Sequence, residues 1–186
     1  MMKKICLAGG KLKGRQLAVA AGMRPTQEKV RKALFDVLQQ VIEGSVFLEL
    51  FAGSGAVGIQ ALSNGASEVI LVEKDIRCYK MIEKNITSLG LDKDKANISS
   101  LYMDSLVAIE YLAKKNKKFD IIFFDPPYYK DLAKNALQRI SSCDIVTPHC
   151  IIVVEHNKRD FLETSINSLT LFEQKRYGDT ALSFYR

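Results

Sequence analysis

Glu49-Leu50-Phe51-Ala52-Gly53-Ser54-Gly55-Ala56-Val57-Gly58 joins a short apolar run, Val46–Leu50, to a helical stretch reaching about Asn64, with Gly65 behind it. Gly53, Gly55 and Gly58 satisfy G-x-G-x-x-G in a strand–turn–helix setting. Glycines there let the backbone turn sharply and let a ligand come close to it. Glu73 lies 20 residues beyond Gly53, at the end of a second apolar run, Val69–Val72. An acid in that place hydrogen-bonds the hydroxyls of a ribose. The loop therefore reads as the cradle of a nucleotide-like ligand. It serves dinucleotides and S-adenosylmethionine alike. Three features favour the latter: Glu49 ahead of the loop, Asp104 after a third strand, and the lack of a second domain to hold a dehydrogenase substrate.

The rest of the chain alternates in the same way. Apolar residues at Val30, Ala33, Leu34, Val37, Leu38 and Val41 have helical period, with Thr26 as the expected cap and Gly44 as the stop. Asp75 is expected to cap a helix whose inner face is Ile76, Tyr79, Ile82, Ile86 and Leu89. Further strands are expected at 98–103, 119–124 and 151–154, with helices at 105–115, 131–141 and 159–166. Two closing strands, 169–177 and 181–185, flank Gly178-Asp179. They are joined too tightly for a crossover and must be antiparallel. Residues 5–8 and 15–20 can pair as a hairpin around Gly9–Gly14. Nearly unbroken apolar strands between helices imply an α/β fold with a mostly parallel sheet covered on both faces.

The 186 residues are 47% hydrophobic and 26% charged, which excludes a disordered or collagen-like chain. The longest apolar runs, such as Cys150–Val154, are far too short to span a bilayer. The four scattered cysteines (Cys6, Cys78, Cys143, Cys150) contain no C-x-x-C pair and are expected as reduced thiols in a cytoplasmic protein. Net charge is +6, but residues 1–32 alone carry +8. A basic arm on a near-neutral body points to a polyanion. Since the arm lacks aromatics, Lys11, Lys13 and Arg15 are expected to grip phosphates rather than stack bases.

Phe119–Phe124 runs into Asp125-Pro126-Pro127-Tyr128. Two prolines end the strand rigidly at its carboxyl end, where open α/β sheets bind ligands. A planar amine needs two acceptors and a flat surface. Asp125 and the Pro126 carbonyl supply the acceptors, and Tyr128 can stack on the ring. No metal or cysteine nucleophile is required, and His149 and His156 are expected in structural or surface roles.

Taken together, Glu49–Gly58, Glu73, Asp104 and Asp125–Tyr128 resemble the motifs of class I S-adenosylmethionine-dependent methyltransferases acting on exocyclic amines. More narrowly, the chain resembles the RsmD family, the 16S ribosomal RNA guanine-N2 methyltransferases. That likeness extends to Gly9–Arg15, Arg24-Pro25-Thr26, Val30–Phe35 and Tyr177-Gly178-Asp179-Thr180. It implies a Rossmann-like, seven-stranded sheet of order 3-2-1-4-5-7-6 with helices on both faces, preceded by a basic hairpin. Residues 1–24 would form that arm and residues 25–186 the methyltransferase domain. Glu49, Phe51, Ala52, Gly53, Gly55, Glu73, Lys74, Asp104 and Ser105 would hold S-adenosylmethionine and its product S-adenosylhomocysteine. Asp125, Pro126 and Tyr128 would be catalytic, with Arg24 and Thr26 close by ordering the target. The implied partner is 16S rRNA or a small-subunit assembly particle, bound by a monomer without metal or membrane. An adenine-N6 methyltransferase acting on DNA or RNA shares the tetrad and is the alternative, although such enzymes usually carry a target-recognition domain. A dinucleotide-dependent oxidoreductase and a silent nucleic-acid-binding module are more distant readings.

Overall fold

A computed structural model describes residues 4–23, 26–91, 97–127 and 131–186. Strand β1 (Lys4–Cys6) pairs antiparallel with β2 (Gln16–Ala18). Helix α1 (Glu28–Leu38) precedes β3 (Val46–Leu50), α2 (Ala56–Ser63), β4 (Glu68–Glu73), α3 (Ile76–Ser88) and β5 (Ile98–Tyr102). Then come α4 (Ser105–Lys114), β6 (Phe119–Phe124), α5 (Leu132–Ser142) and β7 (Val146–Asn157). The last elements are β8 (Ser165–Ile166), β9 (Leu169–Tyr177) and β10 (Thr180–Tyr185).

The main sheet has the order β5-β4-β3-β6-β7-β10-β9-β8. Strands β3 to β7 are parallel, while β10 runs antiparallel to both β7 and β9. This is the expected seven-strand order with the two-residue β8 added at one edge. Alternation along the strands divides the core. Phe47, Leu71, Phe123 and Val153 pack on one face with residues of α1, α2 and α3. Leu48, Leu50, Val72, Phe124 and Val154 pack on the other with residues of α4 and α5.

The hairpin shares the first of these cores. Ile5, Leu7, Leu17 and Val19 are buried in it. Its main chain is stitched to the body: Ala8 N–H donates to Gln60 Oε1 at 2.8 Å, and Asn85 both accepts from Ala18 N–H and donates to Ala18 O, each at 2.9 Å. The fully buried Arg31 donates to Cys6 O at 2.6 Å. Burial lowers the affinity of this guanidinium for its proton, against the opposing fields of Glu28, Cys6 and Glu49.

Several expectations need correction. Thr26 does not cap α1; Gln27 stands at the cap position and its side chain makes no capping bond. The helix ends at Leu38, leaving Val41 exposed while Ile42 is buried. Asp75 does cap α3, but the inner face is Cys78, Ile82, Asn85 and Ile86. Ile76 is exposed, and Tyr79 lies half-buried with its ring 5.3 Å from that of Tyr102. The fifth parallel strand is longer than its apolar run and contains both histidines. His149 is exposed, and His156 is buried between Asn157 O and Ser183 Oγ, both at 2.8 Å. Residues 159–166 form no helix; a turn at 158–160 leads instead to β8.

Candidate active site

The carboxyl ends of the parallel strands build the site. Leu50, Val72, Phe124 and Val154 lie in register across β4, β3, β6 and β7. The next residue on each strand is Phe51, Glu73, Asp125 and Glu155. Neighbouring strands lie about 4.8 Å apart, so Glu73 and Asp125, with one strand between them, are separated by roughly 10 Å along the row. These residues line a cleft of about 490 Å³ together with Glu49, Ala52, Gly53, Lys74, Pro126, Thr26 and Met23. That volume suits a small-molecule cofactor.

The glycine loop is shaped by backbone conformation. Gly53 and Gly55 have φ of 56° and 73°, which side chains other than glycine's rarely tolerate. A Cβ at Gly53 would lie 2.8 Å from Met23 Cε, so the segment after the hairpin closes over the loop. Gly58 serves packing: a Cβ there would meet Leu71 Cδ2 at 2.3 Å and Glu49 Oε2 at 2.9 Å. Phe51 is also left-handed, with φ of 55°, an outlier for a bulky residue and a mark of strain held at a site. Its N–H donates to Ser105 Oγ at 3.1 Å.

Glu73 organises the loop. Its Oε2 accepts from Gly53 N–H at 2.7 Å, and its Oε1 accepts from Lys74 and Asp75 N–H at 2.8 and 2.7 Å. A carboxylate has about four acceptor positions, so roughly one remains for a ligand hydroxyl. Glu49 lies deeper, 3% exposed, and accepts from Gly58 N–H at 2.7 Å in the first turn of α2. Burial pushes its pKa up to about 8, the Val57 and Gly58 amides oppose the rise, and the nearby Glu73 and Asp125 add to it. Burial likewise pushes the Cys78 thiol on the cleft wall up to about 11, so it is neutral at physiological pH and a poor nucleophile.

The remaining expected residues are placed as follows. Asp104 and Ser105 are not on the cleft wall. Asp104 caps α4 through Leu106 N–H at 2.9 Å and meets Lys74 Nζ at 3.2 Å. Gly55 caps α2 without lining the cleft. Thr26 lines it, whereas Arg24 and Tyr128 lie outside the described residues. The basic turn is remote. Lys11 N–H donates to Ser63 O at the far end of α2, and Arg15 Nη2 donates to Ser88 O at the far end of α3. With 8 and 13 residues, these helices set the turn roughly 12–20 Å from the cleft. The sequence reading missed Met23, Arg77, Cys78, Thr180 and Glu155 on the cleft wall. Glu155 had a signal: like Glu73 and Asp125, it is an acid directly after an apolar strand run. The others meet only through tertiary folding.

These residues fit S-adenosylmethionine. The glycine cradle leaves room for a close approach, an acceptor position remains on Glu73 for a hydroxyl, and the acidic wall suits a cationic sulfonium and ammonium.

Comparison with known proteins gives the family and the fold. The family described as conserved hypothetical protein 95 matches residues 5–186. Ribosomal RNA small subunit methyltransferase D of Escherichia coli (strain K12) is 31% identical over 185 residues, covering 98% of this chain and 90% of that protein. The structure of a hypothetical protein of Thermus thermophilus superposes with a TM-score of 0.82 at 32% identity, over 97% of this chain and 98% of that one. SMU.776, solved in complex with S-adenosylhomocysteine, shares the fold at a TM-score of 0.74 and 16% identity, over 92% of this chain and 53% of that one. The chain thus belongs to the conserved hypothetical protein 95 family and has the fold of the class I S-adenosylmethionine-dependent methyltransferases.

Proposed function

We propose that this protein transfers a methyl group from S-adenosylmethionine to the exocyclic N2 of a guanine in small-subunit ribosomal RNA. The observation that carries the reading is the placement of Asp125-Pro126-Pro127 on the same cleft wall as Glu73 and Gly53. The name of the Escherichia coli relative supports the ribosomal RNA substrate. The RsmD resemblance supports guanine N2 over adenine N6.

When bound, S-adenosylmethionine supplies an electrophilic methyl on a sulfonium. Glu73, with Gly53 and Lys74 beside it, holds the ribose; Glu49, Phe51 and Ala52 bound the remainder. Asp104, Ser105 and Gly55 act indirectly, by fixing α4, Phe51 and α2. Guanine N2 is a weak nucleophile because its lone pair is delocalised into the ring. Asp125 and the Pro126 carbonyl accept its two N–H bonds and turn the nitrogen toward the methyl. The cofactor would supply the methyl with a neutral thioether as its leaving group. Positive charge grows on nitrogen beside the Asp125 carboxylate, which stabilises it and receives the departing proton. Tyr128 would stack on the base, which must be flipped or unpaired to enter. Residues 1–24 act as an RNA-contacting arm anchored in the core of the domain formed by residues 25–186. The protein works as a cytoplasmic monomer on naked 16S rRNA or on an assembly particle.

Incorporation of labelled methyl into 16S rRNA, small-subunit particles and DNA tests the substrate class. Labelling of RNA or particles is expected; labelling of DNA alone overturns the reading.

A further inference from the structure

A second cleft, of about 440 Å³, adjoins the first and shares Pro126 and Pro127 with it. At its rim stands Phe161, 87% exposed, the most exposed large hydrophobic side chain among the described residues. Its ring presents an apolar face of the kind on which a base stacks. The backbone leading to Phe161 is ordered. The turn before it is fixed by Asp160 N–H to Asn157 O at 2.9 Å, Arg159 N–H to Asn157 Oδ1 at 3.0 Å and Lys158 N–H to Asp179 O at 2.9 Å. That turn fixes where the chain presents Phe161 beside the cleft.

The charges beside it are not equivalent. Lys134 pairs with Glu163, and Lys158 pairs with Asp179 at 2.9 Å. Arg159 is exposed and makes no ion pair among the described residues. Asp131 and Asp160 also line the cleft, the latter accepting from Asn157 N–H at 3.2 Å. The cleft therefore offers an apolar ring, a guanidinium without an ion pair among the described residues, and continuity with Pro126 and Pro127. From this arrangement, and resting on the RNA methyltransferase reading above, we infer that the second cleft seats the nucleotide adjoining the target, its base stacked on Phe161 and its phosphate against Arg159. The stacking face holds the neighbouring nucleotide in place while the target turns past Pro126 and Pro127 into the first cleft.

The sequence contains no tryptophan, so Phe161→Trp installs a sole reporter at an exposed position. Its emission is measured during titration with 16S rRNA and, separately, with S-adenosylhomocysteine. RNA should quench it, and S-adenosylhomocysteine should not. Phe161→Ala should weaken RNA binding roughly 5- to 150-fold, as loss of one base–aromatic stack does, with unchanged S-adenosylhomocysteine affinity. Phe161→Trp should retain binding. Arg159→Ala should lower the log–log salt slope by about 0.7, the loss of one single-strand phosphate contact. If Phe161→Ala binds and methylates RNA like wild type, and the tryptophan stays unquenched at saturating RNA, the second cleft is not a nucleotide site and the methyltransferase reading stands. If wild-type protein neither binds nor methylates RNA, both fall.

Discussion

Replacing Glu49 by glutamine isolates the most perturbed acid of the site. The native carboxyl titrates near 8, against an ordinary value of 4.5, chiefly because it is buried. Between those values the folded chain holds a proton on Glu49 that the unfolded chain has released. Stability from this group is therefore fully present below about pH 4.5 and is lost as pH rises toward 8. One proton of difference changes stability by about 1.4 kcal/mol per pH unit. Glutamine is close in shape, retains an acceptor for Gly58 N–H and does not titrate. The stability of Glu49→Gln relative to wild type should thus grow by roughly 2–3 kcal/mol from pH 5.5 to 7.5, since titrations not coupled to Glu49 cancel in the difference. Urea unfolding of both proteins at three pH values in that interval measures it. A difference that stays constant with pH would refute the reasoning and show Glu49 to be ionised throughout, held so by the Val57 and Gly58 amides.

Other expectations concern catalysis, packing and the arm. Asp125→Ala should lower turnover at saturating substrates by about 10²- to 10³-fold while leaving S-adenosylhomocysteine affinity nearly intact by calorimetry. Gly58→Ala should cost roughly 1–3 kcal/mol in urea unfolding, because the added methyl meets Leu71 and Glu49 below contact distance. Alanine at Lys11, Lys13 and Arg15 together should flatten the salt dependence of RNA binding by about two units of log–log slope without changing cofactor affinity. An unchanged slope would remove the arm from the RNA interface.

The parallel core was legible because β4, β6 and β7 each carry an apolar run followed directly by an acid, and β3 an apolar run leading into the glycine loop. The row of Glu73, Asp125 and Glu155 repeats that pattern, and only its third member escaped notice. What was not legible depended on chain segments distant in sequence. Nothing local in Ala21-Gly22-Met23 says that Met23 will fold against Gly53. Nor does the charge of Lys11 and Lys13 show that backbone bonds to Ser63 place their turn at the far end of α2. The misread helix at 159–166 has a local cause. The Asn157 and Asp160 side chains bond the backbone of their own turn and divert it from helical geometry. The length of β7 was hidden by polar residues at Thr147 and His149, which are half-buried and exposed on a strand whose partners, not its composition, define it.

If the first cleft brings a guanine amine, held at Asp125 and Pro126, to a sulfonium methyl, the product is fixed. Nucleoside analysis of 16S rRNA, offered naked and as small-subunit particles, after incubation with the protein and labelled S-adenosylmethionine reads it directly. Label is expected as N2-methylguanosine, and its rate of appearance should fall about 10²- to 10³-fold with Asp125→Ala. Recovery as N6-methyladenosine, or label that survives Asp125→Ala at the wild-type rate, would contradict it.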